Sequence, residues 1–422
     1  MNVAYLTWGE TPRSYGVFAS QVIGQFVENY KISSKDDFYF ISAVPIVHSG
    51  LVREKLKYFD ELKKVKEKLG KIKFIWLPIY AIQNFVNSSK STFGLMHGLA
   101  HWHLKNTLLR LNPDIVHCRS YHAAWAALQV KQKNNFEYKI IFDGRGLWPE
   151  EIALKREFSK DSEDYQFLKN IEKTLLSQCD ATISVSDTMH QHYENIGVKR
   201  GELIYLSASV DKLAPSTFER NRENDTVTFC YVGALSEDTW HQPLQLLELY
   251  KHLRATVKKA NLVIVTTSSH TKIKELFKEI PQNEVTYTST KSIEELKLVL
   301  ENVDFGLLSY FKPLSGEEQL LGRMVMAVKT AEYLAAGLPV MVNNTCGGAA
   351  TVVEKYNAGV SYNQDTFNEI TQETIQKLLE VNIPKNAVKV AEDLFDYKAN
   401  AVRYVNLYEN LLNDKVKQLI EL

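Results

Sequence analysis

The stretch that decides the fold runs from Ala327 to Val342 and reads A-V-K-T-A-E-Y-L-A-A-G-L-P-V-M-V. Its first half has the small and apolar residues of a short buried helix, with Lys329 and Glu332 in its opening turns. Gly337 ends that helix, and the proline two residues later turns the chain into an apolar strand. The glycine pair Gly347-Gly348 follows this strand. A carboxylate on a short helix, a tight turn and glycines after the next strand predict a ligand-holding edge of an α/β sheet.

The same residues resemble the nucleotide-sugar site of glycosyltransferase family 4 in its K-x-x-E-Y-L-A-x-G-x-P-V form. The resemblance covers nearly the whole chain and is strongest at Thr228–Gly233 and Asp304–Gly359. It implies the GT-B fold, an α/β architecture of two doubly wound Rossmann-like domains facing across a cleft, with a C-terminal helix crossing back to the N-terminal domain. It also implies a retaining transferase that needs neither metal nor cofactor. Its donor would be a nucleotide-sugar, with UDP and GDP as the expected carriers.

Composition limits the classes of protein to which the chain can belong. Its 422 residues are too many for one ordinary core, and 45% apolar with 24% charged residues is typical of a globular protein. Lys and Arg balance Asp and Glu in number, so no nucleic-acid partner is expected. The four cysteines are far apart, lack metal-type spacing and are interpreted as reduced thiols. Met1–Thr7 is too short an apolar run for a signal peptide, so a cytoplasmic location is expected.

Strand and helix patterns alternate along the chain in two consecutive runs of about 200 residues each. Such alternation predicts two α/β domains with parallel sheets. We expect an N-terminal acceptor-binding domain at 1–212, a nucleotide-sugar-binding domain at 222–394 and a terminal helix at 395–422 that packs on the first domain. The polar segment Asn221–Asp225 is the expected linker.

Residues 53–104 have a local bias in charge and hydropathy. Nine Lys or Arg residues stand against four Asp or Glu between Arg53 and Lys73, whereas Phe74–Leu104 carries one cation and no acid. A basic helix beside an apolar, aromatic stretch can lie on an anionic membrane, here the inner face. A solvated helix that covers a core strand fits the same pattern, and both interpretations stay open. The longest uncharged run, Phe74–Ser89, is too short to span a bilayer.

Most of the expected donor contacts lie in the second domain. Glu332 is predicted to accept hydrogen bonds from both ribose hydroxyls, and a helix-start glutamate without a ligand is the alternative. Glycines leave their backbone amides open to a phosphate or a sugar hydroxyl, although a turn without a ligand is again the alternative. The donor-binding candidates are Gly16, Gly233, Ser309, Arg323, Glu332, Gly347 and Gly348.

The chain departs from the family pattern where positive charge and a sugar contact are expected. The departures are Ala234 for an Arg, Thr239-Trp240-His241 around a Lys, and Met324 for a second Glu. A departing diphosphate nevertheless needs a cation or a helix N-terminus. The candidates to replace the missing charge are Lys329, Arg323, His241 and the helix start near Pro243. Of these, Lys329 is the expected cation, and the alternative for Arg323 is a surface salt bridge.

Two loops of the first domain are expected beside the donor and the acceptor. Arg13–Phe18 resembles the family's glycine loop near the donor diphosphate, with Gly16 at the close-approach position; a plain tight turn is the alternative. The segment Phe142–Glu151 follows a buried strand, at the sheet edge where α/β proteins bind ligands. Many family members have His at Asp143. Asp143 is predicted to orient the sugar or acceptor hydroxyl and Arg145 to supply charge, and a structural Asp-Arg pair is the alternative. The catalytic candidates are therefore Asp143, Arg145 and Lys329.

Histidines are the remaining candidates in the first domain. His117 and His122 flank a strand end, so either could meet the acceptor. His97 and His101 share one face of a predicted helix, but no paired cysteines or HExxH motif accompany them. The sequence therefore predicts no metal site.

The predicted function is transfer of a sugar from a nucleotide-sugar to a glycan or lipid-linked glycan in surface polysaccharide synthesis. No general base stands out, which suits a front-face reaction in which the leaving phosphate takes the acceptor's proton. A nucleotide-sugar epimerase on the same fold is one alternative. A non-catalytic partner subunit, suggested by the departures from the family pattern, is the other. A dinucleotide oxidoreductase is disfavoured because no GxGxxG follows the first strand.

Overall fold

The computed structural model describes residues 1–47, 55–82, 90–218, 225–237 and 239–420. They divide into two compact units, an N-terminal unit of Met1–Ile204 with Asn400–Leu422 and a C-terminal unit of Tyr205–Ala399. Each unit contains one parallel sheet covered by helices, which confirms the predicted α/β class with two Rossmann-like domains. Residues 221–224 of the expected linker lie outside the described residues.

The N-terminal unit is built on a seven-stranded parallel sheet in the order β3-β2-β1-β4-β5-β6-β7. The strands are β1 Asn2–Trp8, β2 Asp37–Val47, β3 Lys73–Ile82, β4 Ile115–Arg119, β5 Lys139–Asp143, β6 Ala181–Ser184 and β7 Gly201–Leu203. The order reverses beside β1, and such switch points are where doubly wound proteins bind ligands. The apolar residues 204–206 extend beyond β7 and are buried in a loop, so their apolar character reflects burial and not a strand.

Helices cover the sheet of the N-terminal unit. The apolar spacing after Gly16 predicts one α-helix, but the chain forms a π-helix, Phe18–Gly24, before α1, Gln25–Ile32. The helices that follow are α2 Lys55–Leu69, α3 Lys90–Leu111, α4 Ser120–Asn134, α5 Trp148–Arg156, α6 Glu163–Gln178 and α7 Asp187–Ile196. The last helix of the chain, Tyr397–Ile420, is numbered α17 below and joins this unit from Asn400 onward.

The C-terminal unit repeats this arrangement with a six-stranded parallel sheet in the order β10-β9-β8-β11-β12-β13. The strands are β8 Thr226–Val232, β9 Lys259–Val265, β10 Val285–Thr288, β11 Phe305–Leu308, β12 Val340–Asn343 and β13 Gly359–Tyr362. The helices are α8 Val210–Leu213, α9 Pro243–Thr256, α10 His270–Leu276, α11 Ile293–Leu300, α12 Gly316–Met324, α13 Val328–Ala335, α14 Gly347–Lys355, α15 Gln372–Leu378 and α16 Asn382–Leu394. The 327–342 stretch therefore forms α13 and β12, as its sequence predicts.

Side-chain chemistry explains where these elements begin and where they pack. Hydroxyl side chains accept hydrogen bonds from the first turn of five helices, at Ser162, Ser186, Ser292, Ser315 and Thr371. The central strands are continuous apolar runs because helices cover both faces of a parallel sheet. Phe229 and Phe305, for example, stack at 5.5 Å between centroids inside the C-terminal unit.

The segment 53–104 contributes both a covering helix and an edge strand. Helix α2 buries Val65 and Leu69 in the core of the N-terminal unit, while Lys63, Lys64, Lys66 and Lys68 are exposed. The apolar stretch after it forms β3, which, among the residues that the structure describes, pairs with β2 alone. This is the arrangement of a solvated helix beside a sheet strand. Within the described part of the chain no helix is both long enough and apolar enough to cross a membrane.

Helix α17 supplies one wall of the N-terminal core. Tyr404, Leu407, Tyr408 and Leu411 are buried there, at helical spacing along one face. Two of these residues are tyrosines, whose hydroxyls need hydrogen-bond partners when they are buried. Their partners lie at the candidate site of this unit.

Candidate functional site

The candidate donor site of the C-terminal unit lies at the carboxyl end of β8. Gly233 follows this strand with a φ of +142°, a conformation that favours glycine, and its amide donates to the Val265 carbonyl at 2.9 Å. Lys329, in the first turn of α13, runs alongside: its Cε lies 3.9 Å from the position a Cβ on residue 233 would take. The fold thus brings Lys329, the cation expected from the sequence, next to Gly233, one of the donor-binding candidates.

Lys329 and Glu332 form an ion pair on one face of α13. The Lys329 Nζ lies 2.6 Å from Glu332 Oε2, and both side chains keep about a quarter of their surface exposed, 26% and 22%. Each charge is therefore neutralised by the other but remains open to solvent. A ligand that carries both phosphate and vicinal hydroxyls could divide the pair, with the ammonium on phosphate and the carboxylate on hydroxyls.

Two buried hydroxyl groups belong to residues near this pair. One residue neighbours the pair in the sequence, and the other follows the strand beside β8. Ser309 follows β11, and Thr330 lies between Lys329 and Glu332 on α13; both residues are fully buried. Within the described structure neither hydroxyl has a hydrogen-bond partner. A buried hydroxyl without a partner costs about 1–3 kcal/mol, so Ser309 has, at the carboxyl end of β11, hydrogen-bonding capacity that the described residues do not use. Thr330 was not predicted, although its place inside the K-x-x-E motif was a usable signal.

His241 is excluded as the missing cation. Its ring packs edge-on against Tyr310 at 4.4 Å, and burial together with the charge of Lys329 lowers its pKa to about 3. The imidazole is therefore neutral near pH 7. Its neighbour Trp240 lies against Phe311 at 5.5 Å between centroids, and the Trp240 carbonyl accepts from the Phe311 amide at 2.9 Å. The residues that replace the usual Lys thus pin the loop after β8 to the loop after β11.

Gly347 and Gly348 have a packing role in the structure. A Cβ on residue 347 would lie 2.5 Å from the carbonyl oxygen of Arg323, so only glycine lets α14 approach the end of α12. The amide of Gly347 donates to the Thr345 carbonyl at 2.9 Å and that of Gly348 to the Val325 carbonyl at 3.0 Å. These amides are therefore already engaged, which differs from the open amides expected for them.

Arg323 is placed in a separate polar cavity of the C-terminal unit, of about 360 Å³. The other polar residues that line this cavity are Lys312, Gln319, Asn344, Thr345, Asn363, Gln364 and Asp365. Lys312 pairs with Asp365 across its mouth. The cavity belongs to the carboxyl ends of β12 and β13, whereas Gly233 and Lys329 lie at β8.

In the N-terminal unit, Asp143 ends β5 and is fully buried. Arg145 Nε donates to its Oδ2 at 3.1 Å, with a second contact from Nη2, and His117 Nε2 on the neighbouring strand β4 lies 3.3 Å from the same oxygen. Burial alone would raise the pKa of Asp143, but Arg145 and His117 outweigh it and hold the pKa below its usual range. The carboxylate is thus charged and enclosed, as in the Asp-Arg pair that the sequence left open.

Tyrosines of α17 complete this buried cluster. The Tyr408 hydroxyl lies 2.7 Å from His117 Nδ1 and accepts from Asn29 Nδ2 at 3.3 Å, while Arg145 Nη2 donates to the Tyr404 hydroxyl at 3.4 Å. Burial lowers the pKa of His117, so its ring is neutral at pH 7. His117 is therefore a member of a structural network and is not open to an acceptor, and His122 is also buried. No local sequence pattern pairs His117 with Tyr408, because they are 291 positions apart.

A second buried hydrogen-bond network contacts the loop that follows Asp143. The Tyr121 hydroxyl donates to Glu172 Oε1 at 2.7 Å, and the Tyr193 hydroxyl donates to the Gly146 carbonyl at 3.3 Å, a carbonyl that also lies 3.3 Å from the Tyr121 hydroxyl oxygen. A Cβ on Gly144 would lie 2.7 Å from the Tyr193 hydroxyl oxygen, so the loop needs glycine there. The loop that carries Arg145 is consequently rigid.

Gly16 lies in an exposed loop at the carboxyl end of β1. Its φ is +66°, a backbone conformation that favours glycine. No atom lies within 4 Å of the position that a Cβ would take, so the space beside its Cα is open. Ser14, two residues earlier, donates its amide and hydroxyl to Glu61 of α2 at 3.0 and 2.7 Å. These bonds, followed by smaller contributions from Lys64, lower the pKa of Glu61 to about 2. The loop is therefore fastened to α2.

Among the described residues, no group of three or more His, Cys, Asp or Glu side chains is arranged to hold a metal ion. His101 packs against Trp8 at 6.2 Å, and burial lowers its pKa to about 4. The side chain of His97 lies outside the described residues. All four cysteines are buried free thiols.

Both halves of the chain match known protein families. Residues 77–212 match the family model of Glycosyltransferase Family 4, and residues 226–380 match that of Glycosyl transferases group 1. An uncharacterized glycosyltransferase of Methanocaldococcus jannaschii is 21% identical over 357 residues, which are 80% of this chain and 82% of that protein.

Solved structures share the fold. Sucrose-phosphate synthase from Thermosynechococcus elongatus superposes with a TM-score of 0.68 at 16% identity, over 98% of this chain and 99% of that one. Anabaena HepE, solved with UDP and glucose, superposes with a TM-score of 0.62 at 13% identity, over 97% and 99% of the two chains. The family matches in both halves and the two Rossmann-like units lead to one conclusion: the chain is a glycosyltransferase of family 4 with the GT-B fold.

Proposed function

We propose that this glycosyltransferase is a retaining, metal-independent enzyme whose donor is a nucleoside diphosphate sugar. Its acceptor would be a hydroxyl of a glycan or lipid-linked glycan, used on the cytoplasmic side of the membrane in surface polysaccharide synthesis. The observation that carries the proposal is the Lys329–Glu332 pair beside Gly233. It combines a cation for a diphosphate, a carboxylate for a ribose and a glycine that permits close approach.

Lys329 would act on the leaving group. As the bond between the sugar and the diphosphate breaks, negative charge grows on the phosphate oxygen, and a fixed ammonium nearby lowers the energy of that state. The Arg and Lys that the family usually has are replaced by Ala234 and by residues around Trp240. His241 is neutral near pH 7, so Lys329 is the cation that remains at the end of β8.

Glu332 would select the nucleotide. Once the Lys329 ammonium turns to phosphate, both carboxylate oxygens are free to accept from the two ribose hydroxyls. The buried Ser309 hydroxyl, which follows β11, is a further hydrogen-bonding group at the carboxyl edge of the same sheet. Anabaena HepE, with UDP and glucose bound, makes UDP-glucose the first donor to test.

Asp143 and Arg145 would act as positioning residues in this scheme. Asp143 is enclosed and already bound by Arg145 and His117, so it holds the loop that carries Arg145 and does not itself serve as a base. The acceptor's proton would then pass to the departing phosphate oxygen on the same face of the sugar, which gives retention of configuration.

The test is transfer with a panel of UDP- and GDP-sugars and glycan acceptors, in buffer with EDTA. Nucleoside diphosphate release and the anomeric configuration of the product are measured. Glu332→Ala should abolish release, whereas Glu301→Ala should not, since Glu301 pairs with Lys297 on α11 with similar exposure, 29% against 22% for Glu332. Isomerised donor without transfer would indicate the epimerase, and equal activity of the two variants would contradict the assigned site.

A further inference from the structure

One edge of the N-terminal unit carries exposed aromatic residues that the transfer reaction does not use. Strand β3 is the last strand of its sheet, and helix α3 packs beside it. Trp76 on β3 is 42% exposed, and Trp102 and Leu109 on α3 are 63% and 60% exposed. Exposed apolar groups gathered on one surface of a folded unit usually mark a site of interaction.

These residues line one open groove of about 510 Å³. Its wall on the strand side is Ile75–Pro78, and its wall on the helix side includes Trp102, Leu109 and Arg110. Trp102 and Leu109 are separated by seven positions, two turns of helix, and therefore lie on the same face. The opposite face of α3 is buried at Ala100, Leu104 and Leu108. Helix α3 is thus apolar on both sides, one side for the core and one for a partner.

The charged residues in the sequence of this edge are all cationic. Between Phe74 and Pro113 the sequence has no Asp or Glu but has Lys90, Lys105 and Arg110. Lys90 pairs with Glu163, whereas Arg110 is exposed at the rim of the groove. The groove thus combines an apolar strand wall, two tryptophans and a leucine with the polar His103, Asn106 and Thr107 and the cationic Arg110, and none of its lining residues is acidic. Such a mixture of indole rings, apolar groups and a cation is complementary to an anionic lipid surface, where indole rings settle at the headgroup level.

We propose that the groove between β3 and α3, hereafter the tryptophan edge, docks this protein on anionic bilayers. Trp76, Trp102 and Leu109 enter the interface, and Arg110 meets lipid headgroups. The tryptophan edge narrows the contact through 53–104 that the sequence left open: it assigns the contact to the strand and helix that follow α2 and extends it to Leu109 and Arg110. Docking needs no donor or acceptor, so it holds or fails independently of the proposed transfer reaction.

The experiment is co-sedimentation of the full chain with vesicles of phosphatidylglycerol, and in parallel with vesicles of phosphatidylcholine. We expect binding to the anionic vesicles, at least tenfold weaker partition onto the neutral ones, and a similar loss for Trp102→Ser and Trp76→Ser. The matched control is Leu314→Ser, which removes an apolar side chain that is 88% exposed in the C-terminal unit and should leave partition unchanged. Trp102 and Leu314 are mostly exposed, so Trp102→Ser and Leu314→Ser should keep the thermal stability of the parent; Trp76 is more than half buried, so the Trp102→Ser variant decides the comparison.

Three results would overturn the proposal. The parent protein does not bind anionic vesicles, or both tryptophan variants bind as tightly as Leu314→Ser, or sedimentation equilibrium without lipid shows self-association that Trp102→Ser abolishes. The last result would assign the tryptophan edge to a second copy of this chain.

Discussion

The attachment of α17 to the N-terminal unit leads to a quantitative prediction for Tyr408→Phe. The substitution removes one hydroxyl from a fully buried position and leaves the ring in place. His117 Nδ1 loses its 2.7 Å partner and Asn29 Nδ2 its 3.3 Å partner. A buried polar group left without a partner costs about 1–3 kcal/mol, and a longer bond to a side chain that keeps other bonds costs about 1 kcal/mol.

We therefore expect Tyr408→Phe to lower the free energy of unfolding by about 2–4 kcal/mol. For a unit of this size that corresponds to a melting temperature lower by roughly 4–16 °C. The assay is differential scanning calorimetry at pH 7.5. The matched control is Tyr30→Phe, on α1 of the same unit: its ring packs on Phe38 at 5.6 Å, and within the described structure its hydroxyl makes no hydrogen bond. The reasoning is refuted if both variants lose less than about 0.5 kcal/mol.

Two further predictions concern close packing and protonation. Gly347→Ala should destabilise the C-terminal unit by about 1–3 kcal/mol, because the new Cβ would meet the Arg323 backbone. The control is Gly316→Ala, whose Cβ would meet no atom within 4 Å. Equal urea midpoints for the two variants would contradict this prediction. His101, with a pKa lowered to about 4, and His241, lowered to about 3, stay neutral in the folded protein while the unfolded chain takes up protons below about pH 6.5. The free energy of unfolding should therefore fall on acidification, by about 1.4 kcal/mol per histidine ring for each pH unit between about 6.5 and the pKa in the folded protein. Urea midpoints that stay constant from about pH 7 to 5.5 would contradict this prediction.

Much of the fold could be predicted because glycines, prolines and apolar runs mark the ends of its elements. Gly337 and Pro339 separate α13 from β12 within a single motif, and Pro243 begins α9 where expected. The apolar run Ile72–Leu77 predicts a strand, and the chain forms β3 there, which continues to Ile82. The π-helix at Phe18–Gly24 has no sequence period of its own and was missed.

The candidate site was only partly predictable, for two physical reasons. Gly347 has the same sequence signature whether it admits a phosphate or a neighbouring helix, and the position of the Arg323 backbone decides between them. The enclosure of Asp143 depends on His117 and on Tyr408, which is far away in the chain. Such long-range pairs arise from the topology of the sheet and from the docking of α17, and no local pattern encodes them.

The central claim is that Lys329 binds the diphosphate of the donor. Isothermal titration calorimetry with UDP, GDP, ADP and CDP tests it most directly, using the parent protein, Lys329→Met and the control Lys297→Met. Lys297 is a fair control because it pairs with a glutamate on a helix of the same unit and is 28% exposed, against 26% for Lys329. A lost charge-assisted hydrogen bond is worth about 1.5–3 kcal/mol, so we expect one nucleotide to bind the parent and Lys297→Met alike and Lys329→Met at least about tenfold more weakly. Equal affinity of Lys329→Met, or no binding of any nucleotide to the parent, would contradict the account.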